Sequence, residues 1–215
     1  MGKGKDRKQD KRIKSLEKLV YKTLENKQID FESSSNISSS GLSVGGFISL
    51  NQGTGDGDDY GDSARIGNSI TMMSQRVDMN IIGETGTFNQ VRVLIVESMD
   101  GNQALALSDV LKYSSFALHG DLVFVSPYTT KTTTNRRYKV HTDKLLELHG
   151  TGDAGKATAQ IRKLIKFGKS GKLVAFNGTA TGPTNHRVSI MLISDSAVAG
   201  HPSLKYNVRT VYKDA

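Results

Sequence analysis

Leu204-Lys205-Tyr206-Asn207-Val208-Arg209-Thr210-Val211-Tyr212-Lys213 sorts its side chains with a period of two. Successive residues of an extended chain point to opposite sides, which places Leu204, Tyr206, Val208, Thr210 and Tyr212 on one face. Lys205, Asn207, Arg209 and Lys213 fall on the other, and only Val211 departs from a half-buried strand. Tyr138, Val140 and Thr142 alternate with Arg137, Lys139 and His141 in the same way. Val91 to Val96, Leu122 to Val125 and Val188 to Ile193 are short and mostly apolar, as buried sandwich strands are, and Ile70 to Ile82 reads as a longer mixed strand.

Strand-like segments fall near residues 42–50, 69–82, 90–97, 121–126, 136–148, 158–167, 172–176, 186–194 and 204–213, with Gly, Asn, Asp and Ser clusters between them. One helical interruption, Ala104 to Lys112, carries Leu105, Val110 and Leu111, with Ser108 as a cap. Eight strands plus a small ribbon suit a jelly roll, so the expected fold is all-β, a single eight-stranded jelly-roll sandwich over residues 42–215.

The N-terminus has a different character. Residues 1–30 hold ten Lys or Arg against five Asp or Glu, in a chain of 215 residues whose formal net charge is +8. Lys11, Lys14, Lys18 and Lys22 are spaced three, four and four apart, which puts them on one stripe of a helix. Ile13, Leu16, Val20 and Leu24 repeat that spacing about half a turn away. Residues 1–30 are therefore expected as a basic amphipathic helical arm, and the serines of residues 31–41 as a flexible linker. A globule has no folding reason to collect cations at one end, so the partner is a polyanion, nucleic acid or an acidic membrane surface.

There is no cysteine, which removes disulfides, thiolate metal sites and cysteine nucleophiles. No apolar run has the length of a membrane span or the form of a signal peptide, and an intracellular protein without stable membrane insertion is expected. Gly150-Thr151-Gly152-Asp153-Ala154-Gly155-Lys156-Ala157-Thr158 nearly spells a P-loop, but Ala157 stands where magnesium chemistry wants Ser or Thr. Asp56, Asp58, Asp59 and Asp62 place hard oxygen ligands densely enough for a structural calcium ion, in competition with a solvated acidic turn. No other cofactor is expected. His119, His141, His149, His186 and His201 show no zinc spacing and read as independent surface or core residues, and no catalytic residue is selected. Lys156, Arg162, Lys163, Lys166, Lys169 and Lys172 form a second basic concentration, which reads as solvated strand edges and turns and extends a phosphate-binding surface if it lies on the side where the arm emerges.

A basic arm, a Ser-rich hinge and an eight-strand sandwich resemble the single jelly-roll capsid proteins of small viruses. Arg136-Arg137-Tyr138-Lys139-Val140-His141-Thr142-Asp143-Lys144 is similar to a strand of capsid proteins from circular, Rep-encoding single-stranded DNA viruses. Gln52-Gly53 and Arg65-Ile66-Gly67-Asn68-Ser69-Ile70 are similar to a loop and strand shared with the satellite tobacco necrosis virus coat protein. Leu107-Ser108-Asp109-Val110-Leu111 matches the position of a short helical insertion, and Asn207 to Asp214 resembles the last strand of that family. The lysine-led arm, interrupted by acids, is closer to the helical arm of the satellite virus.

The resemblance implies a structural protein, not an enzyme, that assembles with itself into a small icosahedral shell, with the virion as its location and host cytoplasm or nucleus as the site of assembly. Lys3, Lys5, Arg7, Lys8, Lys11, Arg12, Lys14, Lys18 and Lys22 are then expected to neutralise single-stranded nucleic acid without reading sequence. Ile13, Leu16, Val20 and Leu24 are expected to bundle between arms. A cellular jelly-roll binding module, a P-loop nucleotide-binding enzyme and a membrane-active arm are the competing readings.

Overall fold

The computed structural model describes residues 9–16, 26–53, 64–83, 86–99, 105–129, 138–150, 157–197 and 202–214. The chain is mostly β. In order come a helix α1 (9–16) and strands β1 (Asn26–Asn36), β2 (Leu42–Val44), β3 (Asn51–Gln52), β4 (Ala64–Arg65), β5 (Ser69–Ile82) and β6 (Phe88–Ser98). Two one-turn helices, α2 (Leu107–Val110) and α3 (Phe116–His119), and a 3₁₀ turn at Gly120–Val123 follow. Strands β7 (Tyr138–His149), β8 (Thr158–Lys166), β9 (Lys172–Ala175), β10 (Arg187–Ser194) and β11 (Ser203–Asp214) complete it.

Two antiparallel sheets face each other. One has the order β1-β11-β5-β8, with β9 also paired to β5, and the other the order β2-β10-β6-β7. Strand β11 lies inside the first sheet, and its Leu204, Tyr206, Val208, Thr210 and Tyr212 are all buried, as the period-two pattern requires. Leu204, Tyr206 and Val208 cluster with Val77, Met79 and Ile81 of β5 and, from the opposite sheet, Val91, Val93, Ile95, Ile190 and Leu192. Val211, the exception to the alternation, sits where the β11–β5 register shifts.

Strands β6 and β10 are buried on both faces, which explains their unbroken apolar runs. Leu94, Val96, Met191 and Ile193 point away from the sandwich core into a second layer made by Leu105, Leu107, Val110, Leu111, Val123 and Phe124. A third cluster of Leu50, Ile70, Met72, Val174, Phe176 and Tyr212 fills one end of the sandwich.

Three expectations need correction. The segment at 121–126 is not a strand: Gly120–Val123 is a 3₁₀ turn that inserts Val123 and Phe124 into the second layer and leaves Leu122 and Val125 exposed. An apolar run of four has no period from which to tell a strand from a turn. The segment at 42–50 forms a strand only over Leu42–Val44, beyond which Phe47, Ile48 and Leu50 are buried as irregular chain. Residues 26–30, expected as the end of the helical arm, and 31–36, expected as the start of the linker, together form the outer strand of the five-stranded sheet, with Asn26 to Asn36 in unbroken antiparallel register with Lys213 to Ser203. An edge strand is held by its backbone ladder, so Ser33, Ser34 and Ser35 suffice there, while Ile29 and Phe31 supply the inward contacts. The described residues contain eleven strands where eight were expected. Those with no counterpart among the expected segments are β1 and the two-residue pair β3 and β4, joined in parallel, while β9, which shares β5 with β8, is the segment expected at 172–176.

Candidate nucleic-acid interface

Residues 9–16 form a helix whose positions are all exposed, so Lys11, Arg12 and Lys14 face solvent together with Ile13 and Leu16. Those two apolar side chains are 52% and 61% exposed. Lys3, Lys5, Arg7, Lys8, Lys18, Lys22, Val20 and Leu24 lie outside the described residues, as do Asp56, Asp58, Asp59, Asp62, Lys156 and His201. Among the described residues no group of three His, Asp or Glu is placed to hold a metal ion. The P-loop-like segment lies outside them from 151 to 156, and the chain that follows it is strand β8, antiparallel to β5, where a P-loop requires a helix.

Beyond the arm, β1 enters the sandwich at a built anchor. Lys27 Nζ lies 3.3 Å from Asp214 Oδ2, and the same oxygen accepts the Ile66 backbone N–H at 2.9 Å. Arg65, fully buried, donates to the carbonyls of Gly67, Gly178 and Ala180 and lies 4.4 Å over the Phe176 ring. Burial pulls its pKa down and the nearby Asp214 charge opposes that pull. The base of the arm is thus fixed to the last strand and, through Ile66, to the chain beside Arg65.

From that anchor the solvent face of the five-stranded sheet runs in cross-strand rows: Gln28, Val211, Ser74, Lys166; then Asp30, Arg209, Arg76, Leu164; then Glu32, Asn207, Asp78, Arg162; then Ser34, Lys205, Asn80, Gln160. Directly opposed residues share a face, so these side chains form one surface. Its three acids are engaged within the sheet. Asp30 holds Arg209 through two bonds of 2.7 Å, Asp78 lies 2.8 Å from Arg76, and Glu32 accepts from Asn207 at 2.9 Å. The bond from Arg209, against the opposing effect of burial and together with the Arg209 charge, lowers the Asp30 pKa. Arg162, Lys166 and Lys205 are exposed and make no ion pair among the described residues, as does Lys169 in the turn after β8. The second basic concentration therefore does lie, in part, on the sheet from which the arm emerges.

One polar centre was not anticipated. Glu97, at the end of the apolar run of β6, is fully buried and gathers His141 Nε2 at 2.8 Å, Lys172 Nζ at 2.6 Å and His186 Nδ1 at 2.9 Å. His141 is the extra residue of a bulge in β7, opposite the Ile95/Val96 step, and the bulge turns it toward the acid. Lys172 comes from the other sheet, set by Gly171, whose φ of +70° and contacts with Thr71 and Met72 leave no room for a side chain. His186 itself has a φ of 51°. Burial raises the Glu97 pKa, and hydrogen bonds from His141, Lys172 and His186 more than reverse that, bringing it to about 2. Two histidines expected to act independently are thus partners. The sequence signal was an acid closing a strand buried on both faces, which requires company.

A second ionic group joins β6 to β7: Arg92 forks onto Asp143 at 3.0 and 2.8 Å, and its Nη1 caps the carbonyls of Val123 and Ser126. Tyr128 donates to Asp143 at 2.6 Å, and burial followed by that carboxylate pushes its pKa up to about 12. Both centres hold strands and loops together.

No protein-family model and no curated protein matches the chain. Its function has to be argued from the sheet order, the arm and the charged surface.

Proposed function

We propose that the chain is a jelly-roll coat subunit that assembles into a closed shell and holds single-stranded nucleic acid through its basic arm. The observation that carries this reading is the order of pairing. With the two-residue β3 and β4 set aside and β8 and β9 taken together, the remaining strands pair first with eighth (β1–β11), second with seventh (β2–β10, over three residues), third with sixth (β5–β8) and fourth with fifth (β6–β7). Such nesting is what results when one long antiparallel hairpin is rolled into two facing sheets, the jelly-roll plan. A cationic, exposed helix stands before the first of these strands.

In this reading the arm neutralises phosphates without reading bases. The apolar positions Ile13 and Leu16, with Val20 and Leu24, need burial that phosphate cannot give, and they obtain it by bundling with arms of neighbouring subunits. The subunit acts in the virion and assembles in host cytoplasm or nucleus. Negative-stain microscopy and sedimentation of the purified full chain over a range of salt and pH test the reading, with closed particles carrying nucleic acid as the expected result. Monomers, dimers or one small oligomer under every condition would overturn it and favour a cellular binding module.

A further inference from the structure

The five-stranded sheet ends in two long edges. Among the described residues β1 pairs only with β11 and β8 only with β5, so each has no strand on its outer side. We propose that these two edges join, β1 of one copy lying antiparallel beside β8 of the next, so that the sheet continues from subunit to subunit. The inference rests on the coat-subunit reading, which supplies the second copy, and names one contact by which the shell is built.

Three observations carry it. The first is polarity. The path β1-β11-β5-β8 is antiparallel throughout, and its even number of strands leaves the two edges running in opposite directions, so head-to-tail addition keeps an antiparallel ladder. Hydrogen-bonded and non-hydrogen-bonded pairs alternate along such a row. Three pairings separate Glu32 from Arg162, so both reach their edges in the same hydrogen-bonding state. Residues Asn36 to Gln28 then match Thr158 to Lys166 row for row, over all nine residues of β8.

The second is charge. In that register the exposed Glu32 of one copy stands opposite the exposed Arg162 of the next, with Asp30, which already holds Arg209, diagonal to both Arg162 and Lys166. Within one chain Glu32 and Arg162 are three strand spacings apart, roughly 14 Å. Glu32 is bonded there only by the neutral Asn207 amide, and Asp78, beside Arg162, is taken by Arg76. On the inner face the same register sets the half-buried Ile29 and Phe31 against Ile165 and the stem of Lys163. The third is that like edges repel. Pairing β8 with β8 gathers Arg162, Lys163 and Lys166, and pairing β1 with β1 gathers Asp30 and Glu32. Charged edges ordinarily keep sheets apart, but these two differ in sign, so each refuses its own kind and accepts the other. A contact between unlike edges repeats from copy to copy, which a two-fold contact does not.

The chain has no cysteine, so a pair introduced in one row reports on that row alone. Ser34 and Gln160 are exposed and share a row. Mild oxidation of the full chain carrying S34C/Q160C is expected to give a ladder of disulfide-linked dimers, trimers and larger multimers on a denaturing gel, while S34C or Q160C alone gives little. In that background E32R or R162E should each lower the linked fraction about tenfold at about 0.1 M salt, and E32R/R162E should restore it. Thermal melting checks that every variant folds. Absence of the ladder, equal linking by either single-cysteine variant, or a reversed charge pair that fails to restore it overturns the edge contact. Negative-stain microscopy of the parent chain keeps the two readings apart. Closed particles without the ladder remove the edge contact and leave the shell standing, whereas a charge-dependent ladder from a chain that forms only small rings or filaments removes the shell and leaves the edge contact standing.

Discussion

Glu97 is a single carboxylate on which two histidines and a lysine from three different segments converge, and its charge is what holds them. Its folded pKa of about 2 lies below the ordinary value of 4.5, so its contribution to stability is fully present above pH 4.5 and is lost as the pH falls toward 2. In Glu97→Gln, which leaves Lys172 and the histidines without their anion, denaturant unfolding at pH 7 should show a loss of roughly 3 kcal/mol. The acid limb of its stability curve should also be flatter between pH 4.5 and 2. Asp30 and Asp143, lowered as well, keep part of that limb in the variant. Gly171→Ala should cost about 2 kcal/mol or more, because the left-handed backbone and the clash with the Met72 carbonyl act together. The acid that closes an apolar run marks Glu97 as needing partners, but which residues supply them was not legible in the sequence. His141 follows the polar parity of Arg137 and Lys139, and only a one-residue bulge, with no residue signature of its own, redirects it.

Elements were legible where one face is wet or where an apolar run has the length of a strand. Residues 69–82 are a strand with the expected bounds, and the segments at 90–97, 158–167, 172–176, 186–194 and 204–213 were placed to within about two residues of β6, β8, β9, β10 and β11. The failure at 26–36 has a different cause. Ile29 and Phe31 do alternate with Asp30 and Glu32, but four positions of pattern were outweighed by the serines that follow and the helical spacing that precedes. Phe31 packs on Phe47 and Tyr206 at ring separations of 5.7 and 6.2 Å, so this strand belongs to the core. Nested truncations make the point measurable. Removing residues 1–25 should leave the melting temperature nearly unchanged. Removing 1–36 should abolish cooperative melting or yield aggregate, because it bares the edge of β11 and opens the aromatic cluster. The exposed helix of residues 9–16 is too short to be stable alone, so circular dichroism of the full chain should show added helix when oligonucleotide is bound.

At the scale of the whole molecule, the sheet order could not be read from the sequence, because strand patterns give faces and lengths while pairing is settled by which edges meet. An all-β sandwich was accessible, and the nested order of its strands was not. The proposed assembly and packaging make their own prediction here: if six arm cations engage a single strand, log affinity should fall against log salt with a slope of roughly −4 per arm, read from oligonucleotide titrations. The nesting also imposes a timetable. The β6–β7 pair can form while much of the chain is still being made, but β1 has no sheet partner until β11 exists, and Lys27 waits 187 residues for Asp214. At the usual pace of a ribosome that interval is roughly 10 to 40 seconds. For most of that interval the basic N-terminal segment precedes an unclosed sandwich, so a chain acting as the proposed coat subunit would meet polyanions before it possesses a finished surface with which to meet its neighbours.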